Sequence, residues 1–209
     1  MILVDRDKKI ISEVSRWRGC LGRQIKIIGN FGSISATDRR LKKLVDEKLL
    51  TRKKYVYSLA SIYEVTGKAK RLFELDTHTG TIRLDQAVHD IAVVDTYLFV
   101  KQTLKLLENA FTSEKEIRHK QGFVTRSHVP DFLFKHGNNL HCVEVELSEK
   151  SRERLEKNVA DNFIKYSSQQ WFVPKDNHRV KKWLEELKIK YPNIIIFDTD
   201  KVDSFIEKL

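Results

Sequence analysis

Proline is nearly absent, at 3 in 209 residues, and glycine is sparse at 8. Disordered linkers, low-complexity tracts and fibrous repeats draw heavily on those two residues. Their scarcity excludes such classes and leaves short loops between packed elements. Cysteine occurs twice, at Cys20 and Cys142, far apart and among apolar neighbours. Two cysteines make neither a disulfide framework nor a zinc finger, and they read as packed, reduced thiols of an intracellular chain. The histidines show no zinc spacing, and glycine-rich phosphate loops and nucleophile elbows are missing. No stretch of about 18 apolar residues is present, so no membrane span is expected. Charge enters at Asp5 and Arg6, straight after the first few apolar residues, which argues against a signal peptide and for a cytoplasmic protein.

Charge is what the chain has in abundance. Asp, Glu, Lys and Arg make up 33% of it, beside 41% hydrophobic residues, and the formal net charge is +10. The surplus is lopsided: residues 1–80 hold 18 Lys and Arg against 9 Asp and Glu, whereas residues 81–209 hold 21 against 20. Such asymmetry predicts two domains, 1–82 and 83–209, the first with an anionic partner. Nucleic acid is the commonest such partner; a membrane surface or an acidic protein are the alternatives.

In the first domain, Ile10, Ile11, Val14 and Trp17 recur at near-helical spacing and predict a helix over residues 7–17. A short segment at 23–28 follows, then a turn at Gly29 and Gly32. Ser35 and Asp38 fit an S-x-x-D cap, opening a helix whose buried stripe is Leu41, Leu44 and Val45. After Leu50 the period becomes strand-like around Tyr55 and Tyr57. Ile62, Tyr63 and Val65 form a second extended run, with 58–61 as the hairpin tip. Thr66 caps a short basic helix at 67–73. Three helices, two strands and a helix is the order of a winged helix-turn-helix. In that arrangement the third helix brings Arg39, Arg40, Lys42 and Lys43 to the major groove of double-stranded DNA. Arg52, Lys53, Lys54 and Lys68 meet phosphates nearby. Basic helix faces are also ordinary solvated surface, and winged helices also recognise proteins, so an interaction module stays open as a reading.

In the second domain a long helix is expected over 84–110, with Ile91, Val94, Tyr97, Leu98, Leu104 and Leu107 on its packing face. A weak strand at 115–120 follows. Two stronger strands, 132–134 and 140–147, flank Gly137, Asn138 and Asn139, which tolerate the positive φ of a tight hairpin. With the loop at 136–139, Lys135 faces Leu140 and Asp131 faces Glu144, their Cβ atoms about 5 Å apart. Glu146 then projects from the face of Glu144, with Val143, Val145 and Leu147 on the other, buried one. Three converging carboxylates repel one another unless neutralised. A hard divalent cation, Mg²⁺ or Mn²⁺, on Asp131, Glu144 and Glu146 would do that and could activate water against a phosphodiester. Ser148 is placed to cap the next helix. Leu155, Val159, Phe163 and Tyr166 form its core side, and Lys150 and Arg154 lie within reach of the acids. A strand at 169–173, a helix at 180–189 and a strand at 194–197 complete a mixed α/β sandwich around a central mixed sheet.

Pro130-Asp131, twelve intervening residues and Glu144-Val145-Glu146 resemble the PD-(D/E)xK nuclease motif on fitting secondary structure. More narrowly, Val129-Pro130-Asp131, the run Glu144 to Ser148, Lys150-Ser151 and the preceding winged helix resemble the replication-relaxation family. That family is associated with plasmid replication and the mobilisation of conjugative elements. The likeness covers nearly the whole chain, its specific motif only residues 128–151, and it implies Asp131 and Glu144 as metal ligands. Where the superfamily usually has a lysine that orients or activates the attacking water, this chain has Glu146. Lys150 supplies the positive charge instead, or Glu146 is a third ligand or a base, or catalysis is lost. Two functions therefore stand side by side. One is a metal-dependent endonuclease or nickase of a mobile element, with Asp131, Glu144, Glu146 and Lys150 as its catalytic set. The other is a non-catalytic replication or transfer accessory factor, or a transcriptional regulator, with a degenerate nuclease fold. Its expected partners are double-stranded DNA and other replication or transfer proteins, with a homodimer as one use of the second domain.

Overall fold

The computed structural model describes residues 2–55, 57, 60–75, 82–122, 128–148 and 150–209. The chain is a mixed α/β protein in two compact units, Met1–Val94 and Asp95–Leu209. Among the described residues no helix is long and apolar enough to cross a membrane.

The first unit opens with α1 (Asp5–Arg16), whose Ile10, Ile11 and Val14 are fully buried, as a one-sided apolar stripe requires. Strand β1 (Cys20–Leu21) runs directly into α2 (Gly22–Ile28), and α3 (Ile34–Asp46) buries Thr37, Leu41 and Leu44. Ser33 caps α3, its Oγ accepting from the Ala36 N–H at 3.2 Å, so Ser35 stands inside the first turn and not at the cap. Strands β2 (Leu50–Lys53) and β3 (Ile62–Val65) pair in the order β1-β3-β2, all antiparallel. The first of these strands ends at Lys53, before the Tyr55 and Tyr57 pattern that suggested it, because the four residues of β3 offer no partner beyond Ile62. Of the expected hairpin tip, Ser58 and Leu59 lie outside the described residues, as does Val56. Thr66 caps α4 (Gly67–Leu72) as expected, accepting from the Ala69 N–H at 3.1 Å. The unit extends past residue 82 because Ile82, Ala87 and Ile91 pack with Leu21 and Ile62. The first turns of α5 (Ala87–Thr103) therefore belong to it.

Glycine scarcity shows at the helix ends. Arg18, Asn30, Lys48, Glu74 and Lys105 all take positive φ, between +49° and +66°. After four of them the next N–H returns to a carbonyl five residues back: Phe31 to Lys26, Leu49 to Leu44, Leu75 to Lys70 and Leu106 to Lys101. This is the Schellman closure, which glycine usually makes. The helix expected over 84–110 stops at Thr103 for this reason, and no glycine marks the stop in the sequence.

The second unit carries β4 (Phe111–Ser113), α6 (Glu114–Gln121), β5 (Phe132–His136), β6 (Asn139–Val145) and α7 (Arg152–Lys165). It continues with β7 (Ser168–Val173), α8 (His178–Lys188), β8 (Ile194–Asp198) and α9 (Thr199–Ile206). The five strands lie in chain order, antiparallel from β4 to β6 and parallel from β6 to β8. Residues 115–120, expected as a strand, are helical. The Ser113 N–H donates to Glu116 Oε2 at 2.7 Å and the Glu116 N–H to Ser113 Oγ at 3.4 Å, a reciprocal cap, and Glu114 pairs with Arg118 one turn on.

Lys135 pairs with Leu140 as anticipated, and His136 with Asn139 as well, so the turn is only Gly137 and Asn138. Gly137 takes the positive φ, +60°, that so tight a turn demands. Strand alternation then sorts the side chains into two layers. Phe132, Phe134, Val143, Val145 and Phe172 are buried on one side, where Tyr97 meets Phe111 and Phe132 edge-on and Phe99 meets Phe172. On the other, Trp171 and Val173 pack with Leu155 and Val159 of α7 and Val180 and Leu184 of α8. Leu133 and Cys142 pack there with Ile117 and Val129. Both cysteines are buried free thiols.

An exposed lysine in the left-handed region costs about 1 kcal/mol relative to glycine. Lys105→Gly is therefore expected to raise the unfolding free energy by up to about 1 kcal/mol, measured by urea denaturation.

Candidate functional site

Two groups of residues carry chemistry, one in each unit. In the first unit, Arg39, Lys42 and Lys43 are exposed on the side of α3 opposite its buried Leu41 and Leu44, with Lys42 bonded to Asp46. Arg40 is not with them. Its Nε donates to Asp7 Oδ1 at 2.7 Å, and its Nη2 donates to Asp7 Oδ2 and, at 3.1 Å, to the Ile2 carbonyl. Asp7 is fully buried on α1. Burial pushes its carboxyl up, but the Arg40 hydrogen bonds and the Val4 N–H outweigh this and hold it below the ordinary value. Arg40 thus fastens α3 to α1.

Two further lysines have structural partners. Lys53 Nζ lies 2.6 Å from Oε2 of the buried Glu64, and the Tyr55 hydroxyl donates to the same carboxylate. Lys68 Nζ donates to the Glu47 carbonyl at 2.8 Å, satisfying an oxygen at the end of α3. Lys54 is exposed, its ammonium 5.1 Å from the ring centroid of exposed Tyr57. Arg52 is exposed too, and with Arg23, Asp38 and Tyr63 it borders a cavity of about 190 Å³ between the start of α3 and the sheet.

In the second unit the acids stand where β6 leaves the sheet. Asp131 is one residue before the first paired position of β5. Its N–H donates to the Val143 carbonyl at 3.1 Å, and its Oδ2 accepts from the Val145 N–H at 2.7 Å. The carboxylate takes over the ladder where the strand ends. Beside it, Glu144 is 3% exposed, and its Oε1 meets His128 Nε2 at 2.5 Å and the Asn162 Nδ2 donor at 2.8 Å. Burial pushes the Glu144 carboxyl above its ordinary value. His128 and Asn162 oppose the rise, and the charge of Asp131 adds to it. Glu146, 2% exposed, forms an ion pair through Oε2 with Lys150, and its Oε1 accepts from Ser148 Oγ at 3.2 Å. Among the described residues no hydrogen bond of good geometry reaches Oε2, and the Lys150 ammonium is the cation that faces it.

The three expected acids thus share one strand end, yet each is turned onto a different partner. Among the described residues, no three His, Cys, Asp or Glu side chains are grouped so as to hold a metal ion. The donor set does not fit Mg²⁺ or Mn²⁺ in this arrangement, since such a cation needs several oxygens facing it together. Ser148, expected as a helix cap, serves Glu146, and Ser151 caps α7, accepting from the Arg154 N–H at 3.3 Å. Lys150 therefore precedes the helix.

His128 and Asn162 are the partners that sequence reasoning missed. Phe163, expected in the core stripe of α7, is 40% exposed, while Asn158 and Asn162, one turn apart, are buried. Two asparagines at that spacing beside Leu155 and Val159 were the available signal of a polar contact under the helix. No protein-family model and no curated protein matches the chain.

Arg40→Ala leaves Asp7 buried without its cation and is expected to cost about 3 kcal/mol at neutral pH. Because the folded carboxyl is held low, the stability it contributes is present above about pH 4 and lost as the pH falls through the folded value. Urea unfolding of wild type and Asp7→Asn across that range should show the two converging on acidification. At the other site, Glu144→Gln keeps an acceptor for His128 and Asn162 and should change stability by less than about 1 kcal/mol. Glu144→Ala strands both donors and should cost about 2–3 kcal/mol in the same measurement.

Proposed function

We propose that this chain is a DNA-binding protein of a mobile genetic element, a replication or transfer accessory factor or regulator. Its first unit would be a winged helix-turn-helix, and its second a PD-(D/E)xK-like frame that does not cleave. One observation carries the reading: the exposed basic face of Arg39, Lys42 and Lys43 on α3, with Arg52 on β2 and Lys54 just beyond it. The element order α1-β1-α2-α3-β2-β3 and the sheet order β1-β3-β2 support the winged-helix assignment. In such a domain α3 enters the major groove and the hairpin strands lie against the phosphates. Contacts of this kind bring affinity, and only those to base edges bring choice of sequence. The mobile-element role rests on the likeness of residues 128–151 to the replication-relaxation family.

A nuclease is the second reading, favoured by Asp131 standing beside Glu144 on the hairpin that carries the motif. Burial of Glu144 and Glu146 and their commitment to His128, Asn162 and Lys150 weigh against it.

Fluorescence anisotropy with duplex DNA should show affinity falling steeply with salt. The triple change Arg39→Ala, Lys42→Ala, Lys43→Ala should weaken binding at least about tenfold. It should also lower the log–log salt slope by up to about 3, close to 0.9 for each phosphate no longer neutralised. Unchanged affinity and slope in that variant would sink the proposal. Supercoiled plasmid incubated with the protein and Mg²⁺ or Mn²⁺ should stay supercoiled. Nicking that Asp131→Ala abolishes would establish the nuclease instead.

A further inference from the structure

We propose that His128 and Lys150 take the place of the expected divalent cation, so that this chain neutralises its own acidic centre and folds without metal. Such neutralisation concerns the second unit alone and stands or falls independently of DNA binding by the first.

Glu144, on β6, and Glu146, just past its end, keep 3% and 2% of their surface exposed, with Asp131 alongside. Carboxylates withdrawn from water in such company need a cation, a proton or a set of donors each. Here every one has its own. The His128 imidazole reaches Glu144 from the segment before β5, and the Lys150 ammonium reaches Glu146 from the segment before α7. Asn162, Ser148 and the Val145 N–H supply further donors. Glu144 Oε1 already accepts from two groups, so a metal binding there must displace one of them.

The same pairing explains the motif's departure. A lysine at position 146 would put its charge on the strand. The chain has an acid there and a lysine four residues on, directed back at it, so the cation has moved off the strand together with an added carboxylate for it to face. Such an arrangement gives each of the three acids a partner of its own from the chain.

The test uses the full chain. Wild type should unfold at the same Tm in EDTA, Mg²⁺ or Mn²⁺, and titration followed by electron paramagnetic resonance should reveal no saturable Mn²⁺ site that depends on Glu144. His128→Gln should lower the Tm by about 5 °C or more, and adding Glu144→Gln should restore most of that loss by removing the orphaned charge. Lys150→Gln and Glu146→Gln should behave as a second such pair. Saturable Mn²⁺ binding to wild type that Glu144→Gln abolishes would overturn the proposal. So would His128→Gln and Lys150→Gln if they cost no stability. If the single variants do not fold, the wild-type metal titration and the two double variants still decide.

Discussion

The turn at Gly137 and Asn138 sets the register of β5 on β6, and the second unit's chemistry follows from that register. A two-residue connection leaves no slack: with Gly137 at positive φ, pairing runs from His136–Asn139 down to Phe132–Val143 without a bulge. A slip of one residue would send Glu144 and Glu146 into the aromatic layer and Val143 and Val145 toward α7. In the register observed, Asp131 arrives where its carboxylate can accept from the Val145 N–H. The parallel neighbour β7 then places Trp171 beside Glu144, so helix α7 covers the acids.

Both units hold buried acids in the same way, by giving each of four carboxylates a basic side chain as its partner. Asp7 has Arg40, Glu64 has Lys53 with the Tyr55 hydroxyl, Glu144 has His128, and Glu146 has Lys150. Such pairs add little net stability over apolar packing, but losing one partner is expensive, so they make the structure intolerant of single changes. They also divide the basic residues of the first unit into two kinds. Arg40, Lys53 and Lys68 bond across to other elements, the two lysines while still exposed, whereas Arg39, Lys42, Lys43, Arg52 and Lys54 make up the exposed basic face. Under the proposed function the second kind meets DNA and the first keeps the helices and strands that present it in place.

Much of the fold was legible because it depends on local pattern. The 3.6-residue stripes of α1 and α3, the Thr66 cap, the hairpin around Gly137 and the strands at β7 and β8 all follow from neighbours in sequence. The departures have local causes too. Helix stops carried by Lys48 or Lys105 instead of glycine give no signal, whereas Ser113-x-x-Glu116 is a capping box, the local mark that separates residues 115–120 from a polar strand. Competition between nearby serines, Ser33 with Ser35 and Ser148 with Ser151, was decided by which one the backbone could close on.

The sequence by itself determined the charge asymmetry, the alternation that puts Glu144 and Glu146 on one face, and the residue that stands opposite Asp131 across the hairpin. Those depend on composition, period and turn length, which are written along the chain. Only the tertiary structure decided what each charged group does. Position along a helix or strand gives a side chain's direction but not what stands opposite it. Asp7 is 33 residues from Arg40, and Glu144 is 16 from His128 and 18 from Asn162. Packing of separate elements made Arg40 a structural residue and closed the acidic centre around the chain's own donors.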